Sequence, residues 1–293
     1  MWREIYRNRA IYLFISPFYI LFAIFGLFPI VFSLYLAFHK WDGIGEMEFV
    51  GLNQFRYLLE DANFWQSIWN TLQIWAFSTI PMLFMALVIA FMLHSALVKY
   101  KDFYRISFFL PNVTSIVAVA IVFGTLFGNR YGFLNFIITS LGLEPVQWLD
   151  SPFWIKIAIS SMVVWRWTGY NAIIYLAGLQ SIPSVLYEAA RIDGASPMQT
   201  FFGITIPLIK PVILFTVITS TIGGMQIFTE SQVFMGDSGG PGGGGMTIVL
   251  YLYQQAFTKN LFGYGSAVAW GLFVIIGLFS VLNWAIVQRS GSK

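Results

Sequence analysis

The chain has no cysteine and only two histidines, His39 and His94, far apart in sequence. Disulfides and thiolate metal sites are excluded, redox compartment cannot be inferred, and metal or cofactor chemistry is not expected. Charge is also scarce. Only 10% of the 293 residues are Asp, Glu, Lys or Arg, against about 25% in ordinary soluble domains. The formal net charge of +3 is too small to suggest nucleic acid as a partner. What fills the chain instead is apolar: 58% hydrophobic residues, with a mean hydropathy of +0.73. That balance belongs in a bilayer and predicts an all-α integral membrane protein.

Six apolar segments approach or exceed the ~20 residues needed to cross hydrocarbon: about 11–38, 68–93, 106–127, 155–177, 211–235 and 265–287. The first is too long for a secretory h-region and no small-x-small site follows it, so it reads as an uncleaved anchor. Pro17, Pro29 and Pro81 fall inside spans and predict kinks. Trp2, Arg3, Tyr6, Arg7 and Arg9 read as an interfacial anchor on anionic lipid. Between the first two spans, residues 53–59 and the pair Phe64 and Trp65 read as amphipathic helices at the opposite interface.

Basic residues set the orientation. With the N-terminus inside, Arg3, Arg7, Arg9, Lys99, Lys101, Arg105, Arg191, Lys210, Arg289 and Lys293 share the cytoplasmic side. Lys40, Arg56, Arg130, Lys156 and Lys259 face the other. Ten against five predicts both termini in the cytoplasm, and with them the most polar loop of the second half.

That loop, 181–207, reads SIPSVLYEAARIDGASPMQTFFGITIP. Pro183 suits a first helical turn. Gly194 suits a helix-ending position with positive φ. Ser196, Pro197 and Gln199 form a second start signal, with Ser as N-cap and Gln completing a capping box. Two short helices joined by a tight bend are expected.

Glu188, Ala189 and Ala190, then Gly194, then Ile206 and Pro207 resemble the EAA loop of bacterial ATP-binding-cassette importers over 20 positions. Ile206 stands where Leu is usual. Outside the loop, "WDG…FVGLNQFRYLLED…FW…NTL", Phe108 to Pro111, Tyr131 to Asn135, Gly239 to Pro241 and Phe262 to Ala267 are similar to a permease subunit of the carbohydrate-uptake branch. The resemblance implies a type I importer permease fold in a bacterial inner membrane, with six spans and a cytoplasmic two-helix coupling loop. It also implies four kinds of partner: a second homologous permease, two cytoplasmic ATP-binding subunits, an extracytoplasmic sugar-binding protein, and membrane lipid. The chain itself would be no enzyme. Glu188, Ala189, Ala190, Asp193 and Gly194 would couple to the ATPase.

The glycine run at 235–245, MGDSGGPGGGG, is richer in glycine than the family's usual loop. It lacks the Lys and the strand–helix setting of a phosphate-binding loop, so it reads as a flexible connection. Two ionisable residues fall within expected spans, Arg166 and Glu230. Such residues should face protein or water. They read either as an ion pair between neighbouring helices or as part of a sugar pathway. Thr219, Gly223, Gln226 and Glu230 are spaced for one helix face, and Arg166 and Tyr170 for another, with Asn171 alongside. Carboxylate, amide and aromatic groups match the hydroxyls and C–H faces of a sugar. An ion-coupled secondary transporter using Arg166 and Glu230 is the rival reading. A lipid-modifying enzyme would need clustered His, Asp or Ser that the sequence does not offer.

Overall fold

A computed structural model describes residues 7–95 and 98–289, with side chains as far as residue 281. The expected anchor residues Trp2, Arg3 and Tyr6 lie outside the described residues, as does Lys293. The helices are α1 (Arg9–Leu36), α2 (Asn53–Glu60), α3 (Ala62–His94), α4 (Lys101–Val113), α5 (Ile116–Leu126) and α6 (Phe133–Ser140). They continue as α7 (Pro152–Gln180), α8 (Ser184–Ile192), α9 (Pro197–Met225), α10 (Thr229–Met235), α11 (Ile248–Tyr253) and α12 (Phe262–Arg289). Two residue pairs, β1 (His39–Lys40) and β2 (Glu48–Phe49), form a small antiparallel ladder with His39 opposite Phe49.

Among the described residues, α1, α3, α9 and α12 are long and apolar enough to cross a membrane, and α4 with α5 makes a fifth if that pair counts as one crossing. The pair is bent by 94°, so the expected span at 106–127 is broken at Thr114 and Ser115. The expected span at 155–177 is α7, a continuous helix of 29 residues whose length of about 43 Å follows from 1.5 Å per residue. It is more polar than the other four, and about half of it is enclosed by the rest of the chain. Fifteen of its residues are buried in protein, Lys156, Ser160, Thr168 and Asn171 among them. The fifth apolar helix also departs from expectation, running 197–225 rather than 211–235.

Proline explains part of that shift. Pro197 sits at N1 after its cap, where its missing N–H costs nothing. Pro207 would ordinarily break the ladder four residues back, and a π turn at Phe201–Thr205 absorbs the defect. The same device appears in α1, where a π turn at Ala23–Leu27 precedes Pro29.

The chain divides into two compact units. The first joins the chain up to Phe64 with Leu252–Val274. Here the motif residues Phe262 to Gly265 explain themselves sterically. A Cβ on Gly263 would lie 1.9 Å from the His39 carbonyl oxygen, and one on Gly265 would lie 2.7 Å from the Ala256 Cβ. Gly43, at φ +95°, passes over the Phe262 ring. Tyr264 donates its hydroxyl proton to Asp61. Helix α2 forms as expected, whereas Phe64 does not lie at a lipid interface. It is 2% exposed and packs towards Gly271.

The second unit joins Trp65–Tyr251 with the chain from Ile275 onward, and α7 is its centre. Its lower half packs Ala172, Tyr175, Leu176 and Leu179 against Ala86, Ala90 and Leu93 of α3 and Ile209 of α9. Ala158 and Met162 meet Val119, Ala120 and Phe123 of α5. Helix α4 approaches α7 so closely that a Cβ on Gly169 would lie 1.7 Å from the Phe108 carbonyl oxygen.

Candidate functional site: a coupling turn and a polar cavity joined by one helix

The 181–207 loop is built as its capping signals require. Helix α8 ends in a Schellman motif: Ala195 N–H donates to the Ala190 carbonyl, Gly194 N–H donates to the Arg191 carbonyl, and Gly194 takes φ +74°. Ser196 and Gln199 then make both bonds of the capping box. Pro183 stands one position earlier than expected, as the residue before the first turn. The second of the two expected short helices is no separate element, because it is the first turn of α9.

Glu188, Ala189, Asp193 and Gly194 are exposed, and Ala190 alone of the expected coupling residues is buried. Around them the loop shows apolar side chains that the sequence reading did not single out: Val185, Ile192, Met198 and Phe202, each more than 60% exposed. Their spacing on an otherwise polar loop was the available signal. Tyr187 and Thr205 share a hydrogen bond of 3.2 Å that ties α8 to the start of α9.

At its other end α9 stops at Met225. Its glycines weaken the last turn, and Gly224 lets it cross α3 closely, since a Cβ there would lie 2.6 Å from the Trp75 ring. Residues 226–228 are not helical, and α10 follows. Beside this break lies a cavity of about 410 Å³ lined by α3, α7, α9 and α10, within the size range of small-molecule sites. Four of the five expected pathway residues line it: Tyr170, Asn171, Gln226 and Glu230. Gln226 and Glu230 were expected on one face of a continuous helix. They reach the same cavity from the two sides of the break. Thr79 and Met82 of α3, with Phe215 and Ser220 of α9, complete the wall; the sequence carries no signal for the α3 pair, which reaches the cavity from a helix distant in sequence.

Asn171 is 3% exposed and held in place. Its amide donates to the Trp167 carbonyl at 3.0 Å, and its oxygen accepts from Ser220. Tyr170 packs edge-on to Trp167. No hydrogen bond or ion pair engages the Gln226 amide or the Glu230 carboxylate among the described residues.

Arg166 is placed elsewhere. Its Nη1 donates to the Thr114 carbonyl at 3.1 Å, at the break between α4 and α5. It does not line the cavity, and no ion pair joins it to Glu230 among the described residues. The arginine satisfies a carbonyl left free by the bend, which is how a charge is tolerated at that depth.

The glycine run is not a flexible connection. Asn70 donates to the Gly243 and Met246 carbonyls at 2.8 and 3.2 Å. Ile248 N–H donates to Thr71 at 2.9 Å, and Ser231 donates to the Gly245 carbonyl. Positive φ at Gly236, Gly239, Gly240, Gly242 and Gly243 and close backbone approach together explain the composition: a Cβ on Gly244 would lie 2.6 Å from Pro152 Cα, and one on Gly239 would lie 2.4 Å from Met246 N. Thr247 donates to the Ile227 carbonyl at 2.7 Å, so the packed loop braces the break that carries Gln226 and Glu230.

Residues 74–289 match the family model described as binding-protein-dependent transport system inner membrane component. A lactose transport system permease from Rhizobium radiobacter is 39% identical, over 93% of this chain and 92% of the relative. An arabinooligosaccharide transport system permease from Bacillus subtilis is 36% identical, over 99% and 92%. Among solved structures, a bacterial ABC transporter involved in the import of the acidic polysaccharide alginate superposes with a TM-score of 0.85, at 25% identity over 98% of each chain. The chain belongs to the inner membrane component family of binding-protein-dependent transport systems.

Proposed function

We propose that the chain carries saccharides as one permease subunit of an ATP-driven importer, with the cavity as its share of the sugar path. The observation that carries this reading is the cavity wall at the broken helix, where unengaged amide, carboxylate and phenol groups sit beside Trp167 and Phe215. Polar groups suit sugar hydroxyls, and aromatic faces suit the C–H surfaces of the rings. The partners are a second homologous permease, two ATP-binding subunits and an extracytoplasmic sugar-binding protein. The distribution of basic residues supports cytoplasmic termini and a cytoplasmic 181–207 loop.

The mechanics follow from α9. One helix of 29 residues connects the coupling turn at Gly194 to the cavity break at Gln226, about 43 Å at 1.5 Å per residue. Closure of the ATPase subunits moves the exposed face of α8, with Glu188 as its polar anchor and Ala189 and Gly194 allowing close approach. The capped turn is rigid, so the movement passes along α9 to the wall that bears Gln226 and Glu230. The unwound residues 226–228 let the wall move without remaking a helix. Ion coupling through an Arg166–Glu230 pair has no such support, since Arg166 is committed to Thr114.

The test is saccharide-stimulated ATP hydrolysis and uptake by the assembled complex in proteoliposomes. Glu188→Lys with Gly194→Trp is expected to lower both at least tenfold while the chain stays in the membrane. Normal uptake by a well-assembled double variant would sink the coupling assignment.

A further inference from the structure

We propose that Glu230 makes the cavity selective by charge, favouring neutral or amino saccharides and disfavouring acidic ones. The inference rests on the reading of the cavity as a sugar path. Among the residues that line the cavity, Glu230 is the only one with a charged side chain, and none is Lys, Arg or His. Its half-buried carboxylate has no hydrogen bond or ion pair among the described residues. Basic groups on α7 are engaged elsewhere. Arg166 donates to the Thr114 carbonyl, and Lys156 donates to Gln73 Oε1.

A saccharide hydroxyl can donate to a free carboxylate, and an ammonium can pair with it. The ionised carboxylate or sulfonate group of an acidic sugar can do neither. It would bring a second negative charge into a confined space with no counter-charge among the residues that line it, where removal from water is costly and the repulsion is weakly screened. Specificity of this kind comes from the repulsive element as much as from the attractive contacts. Asn171 adds a fixed polar point, whereas the Tyr170 hydroxyl and Gln226 amide are free to follow the sugar's hydroxyls. An importer named for an acidic polysaccharide shares this fold, so the fold alone does not set a charge preference.

The experiment uses the assembled complex of both permeases and the ATPase subunits without the binding protein. Three disaccharide probes are titrated calorimetrically: cellobiose, the glucosamine dimer and cellobiouronic acid. The wild type is expected to bind the first two at least tenfold more tightly than the third. Glu230→Gln is expected to narrow the neutral-to-acidic ratio by about tenfold, equivalent to about 1.4 kcal/mol.

Gly223→Trp gives the control for location, because a side chain there enters open space in the cavity. Loss of all binding in Gly223→Trp with an unchanged ratio in Glu230→Gln overturns the charge selection alone. That result also follows if the facing permease supplies a cation for Glu230. Binding that persists undiminished in Gly223→Trp puts the sugar elsewhere and overturns both the selection and the pathway reading.

Discussion

Gly194 and Gly244, in two turns of the second unit, are glycine for opposite reasons. At Gly194 the backbone needs φ +74°, and nothing lies within 4 Å of where a Cβ would sit. The turn is conformationally demanding and sterically open. At Gly244, in the 236–245 loop, the limiting factor is space: the residue has ordinary helical angles and still has Pro152 backbone 2.6 Å from its Cβ position. By contrast, Gly236, Gly239, Gly240, Gly242 and Gly243 of the same loop take positive φ as Gly194 does. The first turn stands clear of the rest of the described chain. The second is closed on its own chain and fixes the cavity wall. Glycine content alone does not separate a turn made to be touched from one made to be packed.

The comparison breaks first at Gly244. Gly244→Ala forces a methyl group against the Cα and carbonyl of Pro152, neither of which can rotate away. Overpacking usually costs 1–3 kcal/mol, and a backbone clash belongs at or above the upper end, about 3 kcal/mol. Thermal unfolding in detergent, followed by loss of soluble complex, is expected to show the largest fall of this series. A near-native midpoint would mean that the loop is not packed against the start of α7.

Asn70→Ala is the next largest. It removes the side-chain donor from the Met246 carbonyl and leaves the Gly243 carbonyl only the Met246 N–H, at about 1–3 kcal/mol for a buried group left unsatisfied. Asn70→Asp is expected to fail similarly, because a carboxylate cannot donate to a carbonyl. Rescue of the midpoint by Asp would show that side-chain volume rather than donation holds the loop.

The sequence made the capping geometry of the 181–207 loop legible almost atom by atom, because caps are local. Ser196, Gln199 and Gly194 act within a few residues of themselves, and their signals survive without knowledge of the fold. The cavity was half legible. Tyr170, Asn171, Gln226 and Glu230 stood out as polar groups in apolar runs, but their meeting depends on a break after Met225 that the spacing concealed. Arg166 was legible as a costly charge and not as a partner, since Thr114 lies 52 residues away. Helix α7 shows the same limit from the other side. Hydropathy finds surfaces that face lipid, and a helix buried in protein is free to carry Ser, Thr, Asn and Lys. The glycine loop was misread because its packing depends on the Pro152 backbone and the Asn70 amide, both distant in sequence.

The smallest expected effect is at Gly194, and there the kind of effect matters more than its size. Gly194→Ala puts a Cβ into empty space but imposes a left-handed conformation on an L-residue, costing about 1–2 kcal/mol. The expected result is a modest fall in the unfolding midpoint, with saccharide-stimulated ATP hydrolysis kept at half the wild-type rate or better. Gly194→Trp has the same backbone strain and, on an open turn, no internal clash. Its loss of stability should therefore resemble that of Ala, whereas its stimulated hydrolysis should be lost. Equal losses of activity in the two variants would trace the defect to a strained turn and remove the argument that Gly194 stands where another backbone approaches. A gap between them, at matched stability, can only come from something outside the chain that the indole keeps away.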